Sequence, residues 1–224
     1  MRKTLVIAHR GFHRDFPENT IEAFRAALDL GADGVEFDLQ ETADGQFIIH
    51  HDDDIEGRSI GSLTLSEITE LRVGGSCRIP TLQQTLEVLG RGLVLLVELK
   101  KVRSLEPFLN VLRRYVDPAW TVLVSYDAAL IEKLAVLAPD FPCAVIGEAA
   151  NTAHTAATAK TAGFAQAPVG MVTVALVKEA HARGDLVFVW DGGEEEDLRR
   201  ALHCGIDVIM TDRPDVAIRE IRGL

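Results

Sequence analysis

The sequence predicts an α/β fold, a (β/α)₈ barrel formed by a single domain over residues 1–224. Eight short apolar segments alternate with helix-length segments from one end of the chain to the other. Near-continuous apolar strands between helices are typical of a parallel sheet that is covered on both faces. Eight such units in 224 residues suit a compact barrel. A doubly wound open sheet is the competing architecture, but it requires a glycine-rich phosphate loop after the first strand, where this chain has His9-Arg10-Gly11.

Each predicted strand is a short run of apolar residues, and at least one helical segment follows it. The predicted strands are residues 5–8, 34–39, 93–98, 121–125, 143–146, 164–166, 186–190 and 208–211. The predicted helices are residues 19–30, 65–72, 80–89, 105–115, 128–137, 149–162, 174–183, 194–203 and 214–221. Asn19 and Glu22 have the spacing of a capping box, Gly31 is a helix stop, and Pro80 suits a first helical turn.

A β-hairpin is predicted to extend the second strand, because polar and apolar residues alternate on both sides of Asp44-Gly45. If these two residues form the turn, Asp38 lies opposite His51. If the loop differs by one residue at each end, Glu36 lies opposite His51 instead. Side chains two residues apart share a face of a strand, so Glu36, Asp38 and His51 are expected on one face. The residues expected on the other face are Val35, Phe37 and Ile48. Two carboxylates and an imidazole together predict a metal site with an acid/base group beside it.

The composition, 47% hydrophobic and 25% charged, is that of a soluble globular protein. The net charge of −11 disfavours nucleic-acid binding, which requires a basic surface. The cysteines are widely spaced and include no Cys-x-x-Cys pair, which indicates reduced thiols in a cytoplasmic protein. Too few apolar residues follow the basic start for a signal peptide, and no apolar run is long enough for a membrane span. The sequence does not specify an oligomeric state.

Reactive side chains are predicted where the barrel strands end, which is where a (β/α)₈ barrel has its active site. They are His9, Arg10, Glu36, Asp38, Glu98, Lys100, Ser125, Tyr126, Gln166, Trp190, Asp191, Thr211 and Asp212, with His51 returned to the same edge by the hairpin. Carboxylates inside apolar strands require partners or a metal. Three carboxylates without a thiolate form an oxygen site that suits Mg²⁺ or Ca²⁺ better than zinc. The alternative is an ion-pair network of these carboxylates with Arg10 and Lys100.

Two histidines beside such a site are candidates for a general base and a general acid. Arg10 and Lys100 supply positive charge for phosphate oxygens. A cation, two imidazoles and two basic side chains together indicate phosphoryl chemistry rather than acyl transfer or redox chemistry. His13 and Arg14 follow in the next loop and are expected to be solvated charges.

These residues lie in segments that resemble the glycerophosphodiester phosphodiesterase family along nearly the whole chain. The matching segments are His9-Arg10-Gly11, Pro17-Glu18-Asn19-Thr20, Gly34-Val35-Glu36-Phe37-Asp38, Thr42-Ala43-Asp44-Gly45, His51-Asp52, Ile79-Pro80-Thr81-Leu82, Val97-Glu98-Leu99-Lys100 and Thr211-Asp212-Arg213-Pro214. The resemblance implies a TIM barrel that catalyses metal-dependent hydrolysis of a small glycerophosphodiester.

The resemblance also implies a role for each site residue. The ligands of the cation, Mg²⁺ or Ca²⁺, would be Glu36, Asp38 and Glu98. The acid/base pair would be His9 and His51, and the phosphate ligands would be Arg10 and Lys100. The supporting residues would be Glu18 for the first loop, Asp52 for the orientation of His51, and Trp190, which would stack on the substrate or fill the top layer of the barrel.

The implied reaction is attack on phosphorus by the glycerol 2-hydroxyl of the substrate, which forms a cyclic phosphate and expels the alcohol. Water then opens the ring to give glycerol 3-phosphate. An intramolecular nucleophile has the high effective molarity that positioning can exploit. We expect His9 to be the base and His51 the acid, with reversed roles in the second step. The alternatives are a phosphodiesterase for lyso- or sphingophospholipids and a non-catalytic barrel that binds a partner.

The sequence departs from the family pattern at two places. The segment between Asp52 and the helix at Pro80 is short, whereas many relatives have a larger cap there. Trp190 is followed by Asp191-Gly192-Gly193, where relatives usually have Thr-Val-Asn. Asp191 is expected either to favour a cationic head group such as choline or ethanolamine, or to cap the helix that starts at Glu194.

Overall fold

The computed structural model describes residues 4–147, 152–153, 164–190 and 194–223. The strands are β1 (Leu5–Ala8), β2 (Gly34–Glu41), β3 (Phe47–Ile49), β4 (Asp54–Ile55), β5 (Arg58–Ser59), β6 (Val94–Lys101), β7 (Thr121–Ser125), β8 (Cys143–Val145), β9 (Thr152–Ala153), β10 (Phe164–Pro168), β11 (Leu186–Trp190) and β12 (Val208–Thr211). The helices are α1 (Ile21–Leu30), α2 (Leu65–Thr69), α3 (Leu82–Leu89), α4 (Leu105–Tyr115), α5 (Ala128–Leu137), α6 (Val174–Arg183), α7 (Glu195–His203) and α8 (Pro214–Arg222). Single 3₁₀ turns cover Ile60–Ser62, Pro118–Trp120 and Val169–Met171.

The main sheet is curled, and its parallel strands follow the order β8, β7, β6, β2, β1, β12, β11, β10 over the described residues. β1 pairs with β12, so the first and last strands of the chain are neighbours. All other neighbours among these parallel strands are consecutive along the chain when β3, β4 and β5 are left out of the count. β3 and β9 are antiparallel additions to β2 and β10. This is the arrangement of a (β/α)₈ barrel, so the predicted fold is confirmed.

Side-chain alternation in β2 separates the core from the site. Val35, Phe37 and Leu39 are buried in the large apolar core that the helices share. A smaller apolar cluster around Ile7 and Leu96 belongs to the inner face of the barrel. The intervening residues of β2 point to the opposite face of the strand, where Glu36 lines the cavity inside the barrel, and they are Glu36, Asp38 and Gln40. The strand therefore stabilises the fold with one set of side chains and presents polar groups with the other.

Two predicted helix starts shift inward by two residues. α1 begins after Thr20, whose hydroxyl accepts a hydrogen bond from the Ala23 amide at 3.3 Å. Asn19 is not the cap, because its backbone is left-handed with φ of 56°. α3 begins after Thr81, which forms a reciprocal capping box with Gln84, so the proline lies before the helix rather than in its first turn.

The predicted hairpin is present, but its register was wrong by one residue. The pairs are Leu39 with Ile49, Gln40 with Ile48 and Glu41 with Phe47. The Thr42 amide donates to the Gln46 carbonyl at 2.9 Å, so the loop has three residues and ends in Gly45 with φ of 74°. His50, rather than His51, therefore lies opposite Asp38, and its amide donates to the Asp38 carbonyl at 2.9 Å. Ile48 shares the face of Gln40, not that of Val35 and Phe37.

The segment after the hairpin packs on its own small core beside the barrel. Ile48 contributes to this core together with Ile55, Ile60, Leu63, Ile68 and Ile79. Of the predicted helix over 149–162, only Thr152–Ala153 lies within the described residues, and that dipeptide is a strand paired with β10. No helix in the described ranges is both long and apolar enough to cross a bilayer.

Gly34 allows β2 and β6 to approach closely, and its replacement by alanine is expected to destabilise the barrel. A methyl group there would lie 2.1 Å from the Val94 carbonyl oxygen, which is held in the sheet. We expect Gly34→Ala to lower the free energy of unfolding by about 1–3 kcal/mol, the usual cost of overpacking, as measured by urea denaturation. Gly61→Ala is the control, since nothing lies within 4 Å of its added methyl group. Equal stability of the two variants would contradict the close approach.

Candidate active site

Three carboxylates meet at the ends of β2 and β6. Asp38 and Glu98 are paired across the two strands, and Glu36 lies two residues before Asp38 on the same face. One oxygen from each of the three lies within 4.8 Å of the others. Glu36 and Asp38 are buried, so their charges repel one another where water screens them little.

Two oxygens of this cluster have no hydrogen-bond partner among the described residues, and they are Glu36 Oε1 and Asp38 Oδ1. Burial raises the pKa of Glu36 well above its usual range, and the charges of Asp38 and Glu98 add to this effect. Burial followed by the charge of Asp38 also raises the pKa of Glu98. Buried carboxylate oxygens that lie close together without hydrogen-bond partners fit a hard divalent cation such as Mg²⁺ or Ca²⁺.

The alternative of an ion-pair network is present in part. Lys100 Nζ lies 3.1 Å from Glu98 Oε1 and 3.9 Å from Asp38 Oδ1, and Arg10 Nε lies 3.1 Å from Asp38 Oδ2. Two basic side chains face three carboxylates, and Glu36 Oε1 still has no hydrogen-bond partner in the part of the chain that the structure describes. The network therefore orients the carboxylates without neutralising them.

Arg10 is held in place by the loop that follows β1. Its backbone is left-handed, with φ of 54°, and its amide donates to Glu36 Oε2 at 3.0 Å. Nη1 donates to both oxygens of Glu18, at 2.9 and 3.1 Å. Burial alone would lower the pKa of Arg10, but the charges of Asp38, Glu18 and Glu36 outweigh it and raise the pKa. Glu18 thus contacts Arg10, as a supporting residue of this loop would.

Asn19 contributes to the site, although its spacing in the sequence predicted only a helix cap. Its side-chain amide donates to Asp38 Oδ2 at 2.8 Å, and its Oδ1 accepts from the Asp38 amide at 3.2 Å. Its own amide donates to the Arg10 carbonyl at 3.0 Å. The left-handed backbone of Asn19 makes these contacts possible, and only its place in the Pro17–Thr20 segment could have indicated them.

His9 has a carboxylate partner whose role the sequence did not predict. Its Nδ1 lies 2.7 Å from Asp212 Oδ1, which follows β12, and its Nε2 lies 3.9 Å from Glu36 Oε2. An ionised carboxylate only accepts hydrogen bonds, so Nδ1 carries the proton and Nε2 faces the carboxylate cluster. The signal available in the sequence was Asp212 at the end of the last strand, within a segment that matches the family.

His13 is not a solvated charge as expected, because its Nε2 donates to the same Asp212 oxygen at 3.1 Å. This hydrogen bond is the main cause that raises the pKa of His13. Burial would raise the pKa of Asp212, but the hydrogen bonds from His13 and His9 lower it far below its usual range. Asp212 is therefore an ionised acceptor shared by two imidazoles.

His51 reaches the site by a different route from the predicted one. β3 ends at Ile49, and the chain then turns so that His51 lines the same cavity as His9, Glu36 and Glu98. Nδ1 of His51 donates to Asp52 Oδ1 at 2.8 Å, and this bond lowers the pKa of Asp52. Asp52 thus contacts His51, although its own side chain is 74% exposed.

The cavity has a volume of about 470 Å³ and runs along the inside of the barrel, from residues at the starts of strands, such as Leu5 and Val94, to residues at their ends. Its polar lining includes His9, Arg10, Glu36, His51, Glu98 and Lys100, with Trp190 beside them at the end of β11. Apolar residues of the inner barrel face, such as Leu96 and Phe188, form the rest of the wall. Asp191, for which the sequence allowed a cap or a head-group contact, lies outside the described residues.

Comparisons with known proteins agree with this arrangement. A model of the glycerophosphoryl diester phosphodiesterase family matches residues 9–216. The chain is 29% identical, over 98% of each sequence, to a Caldanaerobacter subterraneus subsp. tengcongensis protein named glycerophosphodiester phosphodiesterase. The solved glycerophosphodiester phosphodiesterase of Agrobacterium tumefaciens is similar, with a TM-score of 0.83, 25% identity, and coverage of 99% of this chain and 100% of that one. An Oleispira antarctica phosphodiesterase, solved with its product sn-glycerol-3-phosphate, has the same fold, with a TM-score of 0.83, 23% identity, and coverage of 98% of this chain and 97% of that one.

Replacing Glu36 by glutamine is expected to stabilise the metal-free protein at neutral pH, because it removes a buried charge that repels two others. The raised pKa means that the folded protein holds this proton more tightly than the unfolded chain does. Stability linked to Glu36 is therefore present at low pH and lost as the pH rises above the ordinary value of 4.5. Near pH 7 the gain in the free energy of unfolding, measured by urea denaturation, should be about 1–3 kcal/mol. This gain should shrink towards low pH.

The same substitution is expected to weaken cation binding, so saturating Mg²⁺ or Ca²⁺ should reverse the order of stability and make the unsubstituted protein the more stable. Glu132→Gln is the control, since this exposed helical carboxylate lies away from the cluster. A metal-free Glu36→Gln variant that is less stable at pH 7 would contradict the repulsion among the three carboxylates.

Proposed function

We propose a cation-dependent mechanism with His9 and His51 as the proton carriers for this chain, which belongs to the glycerophosphoryl diester phosphodiesterase family. It is an enzyme that hydrolyses glycerophosphodiesters. One observation carries the proposal: His9 and His51 line the same cavity as the carboxylates of Glu36 and Glu98. A phosphodiester bound in this cavity would have a basic nitrogen, from His9, and a proton donor, from His51, beside it.

We assign Glu36, Asp38 and Glu98 as the ligands of the divalent cation. The buried oxygens of Glu36 and Asp38 without hydrogen-bond partners support this assignment, as does the approach of one oxygen from each of the three carboxylates to within 4.8 Å of the others. When bound, the cation would neutralise charge on the phosphate and stabilise the charge that develops during displacement. Asn19 fixes the orientation of Asp38 through two hydrogen bonds, so its carboxylate needs little rearrangement.

Arg10 and Lys100 are assigned to the non-bridging phosphate oxygens. Both line the cavity, and both lie beside carboxylates that hold them in place. Glu18 accepts two hydrogen bonds from one nitrogen of Arg10, which orients the planar guanidinium group. Positive charge that is already oriented stabilises a developing phosphate charge without further reorganisation.

In the first step, His9 Nε2 accepts the proton of the glycerol 2-hydroxyl as the 2-oxygen bonds to phosphorus. Asp212 accepts a hydrogen bond from Nδ1 and stabilises the imidazolium that forms. His51 donates a proton to the departing alcohol oxygen as its bond to phosphorus breaks. The products of this step are the alcohol and a cyclic glycerol phosphate.

In the second step the two histidines exchange roles. His51 accepts a proton from water as the water oxygen bonds to phosphorus, and His9 returns its proton to the 2-oxygen as the ring opens. Glycerol 3-phosphate is the product, and both imidazoles regain their starting states. Trp190, at the edge of the cavity, is placed to pack against the glycerol or the alcohol.

The assay is release of glycerol 3-phosphate from glycerophosphocholine, glycerophosphoethanolamine and glycerophosphoglycerol. We expect release with Mg²⁺ or Ca²⁺, loss on chelation and recovery when the cation is restored. His9→Ala and His51→Ala should each lower kcat by about 10²–10⁴-fold, the usual size of acid/base contributions. His203→Ala, an exposed histidine on α7, should have no effect.

Each part of the proposal can fail separately. Release that is unaffected by chelation would remove the cation from the mechanism, and near-normal turnover by a histidine variant would remove that residue from its role. No turnover of any of the three diesters by folded protein with either cation would contradict the proposed function and would favour a lipid substrate or a binding role.

A further inference from the structure

We propose that Gln40 is a positioning residue that holds the backbone of the His51 turn, so that His51 can protonate the leaving alcohol. This inference rests on the proposed function. The turn in question is residues 50–52, which leaves β3 and carries both His51 and its partner Asp52.

The geometry centres on one side-chain nitrogen. Gln40 Nε2 lies 2.9 Å from the His50 carbonyl oxygen, 3.3 Å from that of His51 and 2.6 Å from that of Asp52. Gln40 is 1% exposed and lies two residues after Asp38 on the same face of β2. Three consecutive carbonyl groups therefore converge on one buried amide.

Such convergence is unfavourable without a donor. The negative ends of three carbonyl dipoles point at the same place, and the side chain that meets them is a buried one, so each oxygen is best satisfied by a hydrogen-bond donor there. A side-chain amide supplies two hydrogens, of which one can be shared between two oxygens. Because the acceptors are all carbonyls, the nitrogen of Gln40 must face them, and no other orientation of its amide satisfies the turn.

Regular pairing does not hold this turn. The β2–β3 pairing ends at Leu39 and Ile49, and one further bond joins the His50 amide to the Asp38 carbonyl. Beyond that point the hydrogen bonds from Gln40 to the three carbonyls tie the turn back to β2.

β2 consequently controls the distance between the carboxylate cluster and the turn that carries His51. Glu36 and Asp38 contribute carboxylates to the cation cluster, and Gln40 fixes the backbone that carries the acid. A small displacement of an acid from its leaving group lowers the rate strongly without an equal effect on substrate binding. Loss of Gln40 should therefore act on kcat.

Two substitutions of similar size test the donor. Gln40→Met removes the hydrogens, and Gln40→Glu places a carboxylate against the three carbonyl oxygens. With glycerophosphocholine we expect kcat to fall by about 10–100-fold, with KM changed by less than about threefold. Binding of Mn²⁺, measured by titration calorimetry, should be unchanged. Gln46→Met is the matched control, because this exposed glutamine belongs to the same hairpin but lies at its loop.

A second substrate separates positioning of the acid from general damage. A glycerophosphodiester with p-nitrophenol as its alcohol loses a stable anion that needs no proton, so acid catalysis contributes little to its departure. Because His51 also acts as the base in the second step of both diesters, the two are compared by the rate of alcohol release in a single turnover, which reports the first step alone. For the p-nitrophenyl diester this rate in the Gln40 variants should stay within about threefold of that of the unsubstituted enzyme. His51→Gln should show the same selectivity with a larger loss on glycerophosphocholine.

Equal losses in the single-turnover rate of alcohol release from the two diesters, or an unchanged kcat with glycerophosphocholine, would overturn the role of Gln40. Equal losses for His51→Gln would show that His51 is not the acid and would overturn the inference with it. Absence of turnover by the unsubstituted enzyme and by Gln46→Met is a separate result, since it would contradict the proposed function itself.

Discussion

The repulsion among Glu36, Asp38 and Glu98 is the constraint on which the rest of the site depends. β2 and β6 are adjacent parallel strands with Asp38 opposite Glu98, so the sheet itself forces the carboxylates together. The surrounding groups compensate in part: Arg10 and Lys100 approach, Asn19 donates to Asp38, and the Arg10 amide donates to Glu36. Oxygens without hydrogen-bond partners persist among the described residues, and we propose that they bind a cation at the expense of stability in the cation-free protein.

Each proposed proton carrier has a carboxylate that receives its Nδ1 hydrogen, but the two environments differ. Asp212 also accepts from His13, and together the two hydrogen bonds lower its pKa and keep it ionised beside His9. Asp52 is mostly exposed and belongs to the same turn as His51. The His9 side is thus preorganised by contacts between distant parts of the chain, whereas the His51 side depends on a local turn and on Gln40.

The sequence was sufficient for the fold because the alternation of apolar strands and helices is a local pattern. β1, β7, β11 and β12 have the bounds that the sequence predicted. The hairpin register was not predictable at the same level, because Asp44-Gly45 suits both two-residue and three-residue loops, and one residue changes every facing pair. The carboxylates and histidines of the candidate site were identified from their types and family segments. Asp212 was placed at the end of the last strand, but its role and that of Gln40 were not predicted, since these roles arise from contacts that no spacing encodes. Asp212 and His9 are 203 residues apart.

The central claim is that Glu36, Asp38 and Glu98 bind one divalent cation. The most direct measurement is a crystal structure of the protein grown with Mn²⁺, with data collected where manganese scatters anomalously. We predict a single strong anomalous peak among these three carboxylates in the unsubstituted protein, and its loss in Glu36→Gln. A peak elsewhere, or no peak from protein that hydrolyses its substrate in the same Mn²⁺ solution, would contradict the account.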